Sequence, residues 1–297
     1  MVSQWLTEEV TVAPTLEILF NSLDQLLMST KYPLISVIVP CYNHAKYVSD
    51  ALDSIFDQSY SNIELIVIDD KSTDSTLKVI NKWISNLESK TRFIDLQVLS
   101  HSQNLGAAST LNEGLEHAKG ELITFLNSDD FYDSQRLERF NAAYNGEEYF
   151  CGFSEVKCVS EKNSKVDIGL ISIIESIPDR LESLFSNFLM LQDENIAVTS
   201  GNIVISRGLA QRLEKFKNLL YCHDWEFLIR AAKYCEITFI RDSIYYYRLH
   251  GENSFRDLSD QADFETEIVR SSLKGILRQC DEGPGMTQWD LMMHGVL

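Results

Sequence analysis

Three short runs in the first half of this 297-residue chain place polar and acidic residues directly after apolar, β-branched stretches. LISVIV (34–39) leads into Pro40-Cys41-Tyr42-Asn43, IELIVI (63–68) into Asp69-Asp70-Lys71-Ser72, and ELITFL (121–126) into Asn127-Ser128-Asp129-Asp130. Each run has the length and composition of a strand buried on both faces. Ligands of doubly wound sheets bind beyond the carboxyl ends of such strands. Helix capping accounts for one acid or hydroxyl per loop, the work expected of Ser72, Asp74, Asp133 and Ser134. Adjacent carboxylates need another explanation. They repel, and a divalent cation or a dedicated hydrogen-bond partner removes that cost. Asp70 and the Asp129-Asp130 pair are therefore candidate ligand and metal groups. In the second half, Asp224 stands near the start of a helix-compatible stretch, where an acid also favours the helix dipole.

Positioning those ends requires strands alternating with helices. Helix-compatible stretches fall at 45–58, near 74–88 and near 107–118, with a further strand near 96–99. That rhythm points to right-handed βαβ units and an α/β fold with a mostly parallel sheet. After Phe131 it loosens. A helix near 134–144, two strands around 149–159, a helical stretch near 179–191 and a short strand at 202–206 are expected, then a helix from about 223 to 234 and strands at 237–240 and 243–249. Residues 16–28 carry apolar positions at helical spacing before Pro33 closes the segment, and 259–280 reads as one helix followed by a break at 281–286.

Lys and Arg total 26 against 44 Asp and Glu, a formal net charge of −18. That excess excludes general nucleic-acid binding, because no basic field displaces counterions from phosphates. It also argues against broad contact with an anionic membrane, and it means that an anionic ligand needs a metal or a few placed cations. The six cysteines are scattered without a C-x-x-C pair and read as reduced thiols. The start, MVSQWLTEEVTVAP, lacks the pattern of a signal peptide, and no run of about 18 apolar residues suggests a membrane span. A cytoplasmic location is expected. Neither G-x-G-x-x-G after the first strand nor a phosphate-binding P-loop occurs, and a receiver domain with an acidic pair is much shorter than this chain.

Taken in order, VIVPCYNHAKYVSDALDSIFDQSYSNIELIVIDDKSTDST and NLGAASTLNEGLEHAKGELITFLNSDD resemble the nucleotide-sugar-binding half of the family 2 glycosyltransferases with a GT-A fold. YCHDWEFLIRAAKY and YYYRLHGENS resemble that family's acceptor-side motifs. The resemblance covers residues 34–256. It implies a Rossmann-like, mostly parallel sheet flanked by helices, with a nucleotide-sugar-binding half over 34–132 and a mixed acceptor-binding half over 133–256. Helical extensions over 1–33 and 257–297 complete the chain.

Carried across residue by residue, the resemblance implies that Pro40, Tyr42 and Asn43 line the nucleotide pocket. Asp70 accepts a hydrogen bond from the base imide, which suits uracil or thymine. Asn104, Gly106 and Asn112 shape the loop and helix beside the nucleotide. Asn127 and Ser128 lead to Asp129 at the D-x-D position, with Asp129, Asp130 and His250 as ligands of Mn²⁺ or Mg²⁺. Asp224 matches the catalytic base. Two departures stand out: Asn127 replaces an Asp, and His223 replaces a Glu and is expected to shift the Asp224 pKa downward if protonated. Tyr245, Tyr246 and Tyr247 read as packing, Gly201-Asn202 as neighbours of the acceptor, and His44, His101 and His117 have no partner identifiable from sequence.

The implied activity is inverting, one-at-a-time transfer of a sugar from a UDP-sugar to a hydroxyl of a saccharide or lipid-linked saccharide, in bacterial surface polysaccharide synthesis. Contact with the inner face of the plasma membrane would be peripheral. The Q-x-x-R-W run of processive synthases is absent. A sugar-phosphate nucleotidyltransferase would need a Gly-rich basic loop where CYNHAKY stands. A catalytically silent nucleotide-sugar-binding or scaffold protein is the alternative that Asn127 keeps open.

Overall fold

Strands whose side chains are apolar on both faces can be stable only between two layers of helices. IELIVID, buried at every position, is such a strand. The computed structural model describes residues 32–87, 92–160, 168–182, 187, 191–251 and 260–281. The chain divides into two units, Met1–Pro33 and Leu34–Leu297. The helix expected over 16–28 and the break expected after Asp281 lie outside the described residues.

In the second unit, strands β1 (Ile35–Cys41), β2 (Ile63–Asp69), β3 (Asp95–Ser100) and β4 (Leu122–Phe125) alternate with helices α1 (Val48–Phe56), α2 (Thr76–Ser85) and α3 (Ala107–His117). These four strands run parallel in the order β3-β2-β1-β4. Neighbouring residues of β1 face opposite ways. Val37 and Val39 pack with α1, and Ile38 packs with Ala108 and Leu111 of α3. The apolar runs and their spacing thus account for both layers.

The sheet continues through the second half as β7 (Ile203–Ser206), β6 (Cys151–Ser160), β8 (Ile237–Leu249) and β5 (Phe131–Tyr132). β7 is antiparallel to both β4 and β6, β6 and β8 are parallel, and β5 is antiparallel to β8. Helices α4 (Arg136–Ala143), α5 (Ile168–Glu175), α6 (Ile177–Glu182), α7 (Arg207–Leu213), α8 (His223–Ala231) and α9 (Asp260–Asp281) complete the described elements. This is the GT-A architecture: a mixed α/β sheet of eight strands with flanking helices.

Several expectations need correction. The two strands around 149–159 are one, β6, and the two at 237–240 and 243–249 are also one, β8. The pairing between β6 and β8 slips after Ser154–Ile240, so β8 carries extra residues there. Asp242, at φ 58°, turns the chain within that bulge. Of the helical stretch near 179–191, the part up to 182 is α6, most of 183–190 lies outside the described residues, and the preceding α5 was missed in sequence. The two-residue strand β5 was also too short to see, although it carries the chain from the β4 end to β8.

Glu265 of α9 ties this helix to the entry of α8. Its carboxylate accepts the backbone N–H groups of Leu220 (2.8 Å), Tyr221 (2.8 Å) and Cys222 (3.0 Å). Burial alone would raise its pKa, but these bonds and the Gln261 amide outweigh it and hold the carboxyl below 4.5. Glu265→Ala is expected to cost about 1–2 kcal/mol in urea unfolding. Because the folded pKa is depressed, the contribution is present above pH 4.5 and is lost as pH falls through the folded value.

Candidate active site

The ends of β1 and β4 lie side by side because the strands are paired from Ile35–Leu122 to Ile38–Phe125. The loop after β1 therefore meets the loop after β4. His44 Nδ1 is 2.8 Å from Ser128 Oγ, and its Nε2 is 3.7 Å from Asp129 Oδ2. From the far edge, β8 delivers His250, whose Nε2 is 3.0 Å from the same Asp129 oxygen. The His250 ring stacks on Tyr47, 4.8 Å between centroids. His44, Asp129 and His250 each offer one ligand atom, all within 4.8 Å of one another. Two imidazoles and a carboxylate are a donor set for a divalent transition ion such as Mn²⁺, and they suit all-oxygen-seeking Mg²⁺ less well.

Adjacent acids 129 and 130 have separate roles. Burial would raise Asp129, but the His250 hydrogen bond and the His44 and His250 charges outweigh it and hold the carboxyl below its ordinary value. Asp130 is fully buried, and burial followed by the Asp129 charge pushes it well above the ordinary carboxylate range. Its oxygens accept the Tyr245 hydroxyl at 2.6 Å and the Arg248 N–H at 2.8 Å. Asp130 therefore lies outside the group whose ligand atoms converge, which His44 joins instead. Tyr245 is more than packing, since its hydroxyl holds Asp130. A Cβ at Gly201 would collide with that hydroxyl, so the glycine is required for the phenol's placement. Asn202 is fully buried, binding Arg136, Ser154 and Ala197.

The second strand end forms its own construction. Asp70 Oδ1 faces His101 Nδ1 at 2.6 Å and accepts the Leu105 N–H at 2.7 Å, and Oδ2 accepts the Gly106 N–H at 2.8 Å. Gly106 permits this with φ 84° as it opens α3. Asn104 donates to the Asp70 carbonyl at 3.3 Å. His101 also reaches Glu113 at 2.5 Å. Burial lowers its pKa, but the two carboxylates win and the net shift is upward. Asn43, at φ 56°, accepts the Thr73 and Asp74 N–H groups, locking the β1 and β2 loops together. Tyr42 is 43% exposed beside it, and Pro40 is half-buried near the end of β1. Asn112 belongs elsewhere: its amide both donates to and accepts from the Phe216 backbone, at 2.9 and 2.7 Å. Asn127 donates to Thr199 Oγ1 at 2.6 Å, which fixes the site to the turn before β7.

Asp224 lies in the first turn of α8, buried, with Oδ1 accepting the Trp225 N–H at 2.7 Å. Burial is the largest influence and raises its pKa; His223 pulls in the expected downward direction, but burial outweighs it. Both His223 ring nitrogens are buried without a hydrogen-bond partner. Tyr247 lies within electrostatic reach of Asp129, Asp130 and Asp224, after burial the charges that raise its phenol.

Among residues overlooked in sequence, His44 matters most. It follows the first strand end by three residues, and counting imidazoles as well as acids at those ends would have found it. His101 and His117 also have partners, the latter Gln97 at 3.1 Å.

Glycosyl transferase family 2 matches residues 36–213, and the chain belongs to that family. An uncharacterized glycosyltransferase of Haemophilus influenzae is 45% identical over 107 residues, 36% of this chain and 40% of the relative. The putative teichuronic acid biosynthesis glycosyltransferase TuaG of Bacillus subtilis is 36% identical over 112 residues, 38% and 42% of the two chains. The alignments span about two fifths of the length of these relatives. Among solved structures, S. aureus TarS 1–349 in complex with UDP-GlcNAc superposes with a TM-score of 0.57 at 21% identity, over 83% of this chain and 72% of that one. Mannosyltransferase PcManGT from Pyrobaculum calidifontis, in complex with GDP-Man and Mn²⁺, gives 0.54 at 16% identity, over 94% and 86%. At these identities the structural likeness speaks for the fold alone.

Proposed function

We propose that this glycosyltransferase transfers one sugar at a time, with inversion, from a UDP-sugar to a hydroxyl of a saccharide or lipid-linked saccharide, in bacterial surface polysaccharide synthesis. The observation that carries this reading is the convergence of His44, Asp129 and His250 at the carboxyl ends of β1 and β4. The teichuronic acid biosynthesis ascribed to TuaG supports the pathway, and the UDP-GlcNAc in complex with TarS supports the donor. Residues 34–132 would form the donor half and 133–256 the acceptor half.

His44, Asp129 and His250 would hold a divalent ion, for which the mixed nitrogen and oxygen donors favour Mn²⁺ over Mg²⁺. Bound there, the ion supplies positive charge opposite a diphosphate leaving group. The protein supplies the remaining parts. Ser128 fixes the His44 ring through Nδ1, leaving Nε2 to face Asp129. Asp70 uses three acceptor positions within the protein. A carboxylate has about four, so one remains for a base imide N–H. Tyr42 offers an exposed ring beside it. Asp224, with its pKa raised by burial, takes the proton from the acceptor hydroxyl as it attacks the anomeric carbon.

The donor assignment is tested by thermal shift and slow donor hydrolysis with a panel of UDP-, dTDP- and GDP-sugars plus Mn²⁺. Stabilisation and hydrolysis by a UDP-sugar are expected; no response to any uridine or thymidine compound would sink the reading, and binding without hydrolysis or transfer would favour the silent binding protein. His44→Ala is expected to lower Mn²⁺ affinity about 10–100-fold, read by titration calorimetry, with the fold's Tm unchanged in the absence of metal.

A further inference from the structure

At the second strand end one imidazole stands between two carboxylates. β2 and β3 pair as far as Asp69–Ser100, so the next residues, Asp70 and His101, leave the sheet together. The His101 N–H donates to the Asp69 carbonyl at 2.9 Å and the Asp70 N–H to the Cys41 carbonyl at 2.8 Å, which fixes both backbones. Their side chains then meet, with His101 Nδ1 2.6 Å from Asp70 Oδ1. From the other side α3 supplies Glu113, whose Oε2 is 2.5 Å from His101 Nε2. The His101 and Asp70 side chains are 7% and 5% exposed, and that of Glu113 is 32% exposed.

A carboxylate only accepts, and a neutral imidazole carries one N–H and one bare nitrogen. With a carboxylate at each nitrogen, both contacts are hydrogen bonds only when the ring is an imidazolium. The direction of the His101 pKa agrees: burial lowers it, but the bonds to Asp70 and Glu113 outweigh burial and raise it above 6.5. Asp70 from the β2 end and Glu113 from α3 are the charges set against the ring. Asp69, beside Asp70, has its Oδ2 bonded to the Ser72 N–H and the Ser100 hydroxyl. His117, one turn beyond Glu113 in α3, is bonded to Gln97 of β3.

For Asp70 the consequence is geometric. Oδ1 accepts from His101 and from the Leu105 N–H, and Oδ2 accepts from the Gly106 N–H. Each oxygen has two lone pairs, so the position left open is on Oδ2. Two of the three donors are adjacent amides of one loop. The terminal torsion of an aspartate is broad, so that loop alone holds the carboxylate loosely. His101 supplies the donor from a different direction, at the end of β3.

We infer that His101, braced by Glu113, is a positioning residue for nucleobase recognition: as an imidazolium it locks the Asp70 carboxylate so that the open position on Oδ2 is kept for the imide N–H of a uracil-type base. This rests on the donor reading above, in which Asp70 meets the base. Glu113 acts through His101, because its acceptor at Nε2 favours the doubly protonated ring. The imidazolium is present below the folded pKa and is lost as pH rises through it, when a bare nitrogen comes to face a carboxylate. Base recognition is lost with it.

The full chain is titrated calorimetrically with UDP and with CDP, Mn²⁺ present, from about pH 6 to about pH 8.5. The wild type is expected to bind UDP more tightly than CDP, whose ring carries no imide N–H, and to lose UDP affinity as pH rises. His101→Ala should weaken UDP about tenfold, the worth of one charge-assisted hydrogen bond, and narrow the preference over CDP. Its remaining pH dependence should be that of the nucleotide's own phosphate. Glu113→Gln separates positioning from support of the fold. Its amide N–H can donate to the bare nitrogen, so a neutral ring still bonds Asp70. This variant should match wild type at the low end of the range and keep its UDP affinity at the high end. Mn²⁺ affinity without nucleotide should be unchanged in both variants, because the His44, Asp129 and His250 group contains neither residue. Variants that bind UDP like wild type at every pH would overturn the inference. So would a wild-type pH profile that Glu113→Gln leaves unaltered, and this profile decides alone if His101→Ala does not fold. Equal binding of UDP and CDP by the wild type would overturn the base contact while leaving a nucleotide-sugar donor in place. No binding of UDP by the wild type would sink the donor reading itself.

Discussion

Asp129→Asn is expected to reduce donor hydrolysis and transfer by about 10²–10³-fold and to remove the stabilisation by Mn²⁺. Charge neutralisation at a leaving group is worth several kcal/mol, and about 1.4 kcal/mol is a factor of ten in rate. Asn keeps the shape and one acceptor oxygen, so the loss measures the carboxylate's charge. Asp129 is the atom centre shared by His44 and His250, at 3.7 and 3.0 Å, so no neighbour replaces it. Asp130→Asn provides the contrast. Its carboxylate binds Tyr245 and Arg248, so this variant should retain Mn²⁺ binding in calorimetry. If Asp130→Asn abolished the metal response while Asp129→Asn preserved it, the division of labour between the two acids would be reversed.

Asp224→Asn is expected to lower kcat by about 10²–10⁴-fold while leaving donor binding intact. The same substitution should raise Tm. A buried carboxylate with an elevated pKa favours folding most when protonated, and that benefit is lost as pH rises through the folded pKa. At neutral pH the ionised acid is a cost, which the neutral amide relieves. A rise in Tm together with a fall in kcat separates loss of a base from loss of structure. The pH profile of wild-type kcat/KM should carry an acid limb above pH 3.8, the ordinary value from which Asp224 is raised. Full activity in Asp224→Asn would remove it as the base.

Sequence made the first half of the fold legible because its strands are continuous apolar runs and its helices have clear apolar spacing. IELIVI could hardly be anything but a buried strand. The second half resisted because its information is not local. The β6–β8 slip at Ser154 leaves Asp242 in a polar interruption, which reads as a loop between two strands. β5 owes its existence to pairing with Tyr245 and Tyr246, far along the chain. At the site, the positions of Asp70, Asp129, Asp224 and His250 were legible from motif resemblance. What each carboxylate bonds to was not. Asp129 and Asp130 are adjacent letters, yet one faces two imidazoles and the other a phenol, partners supplied by the loop after β1, by β8 and by the residue after it. Asn112 similarly reads as a pocket residue until Phe216, 104 positions later, occupies its amide.

The closure of Asp129 by His250 spans 121 residues, and this separation orders the protein's own making. A ribosome releases β1 and β4, and with them His44 and Asp129, long before β8 exists. Two of the three ligand atoms would then be in the emerging chain with the third still unsynthesised. Late long-range pairing is slow because loop closure must be met before contacts repay it. The His44–Asp129–His250 group is therefore complete only once β8 lies between β6 and β5. A chain ending before β8 would carry His44 and Asp129 without His250, the third member of the converging group.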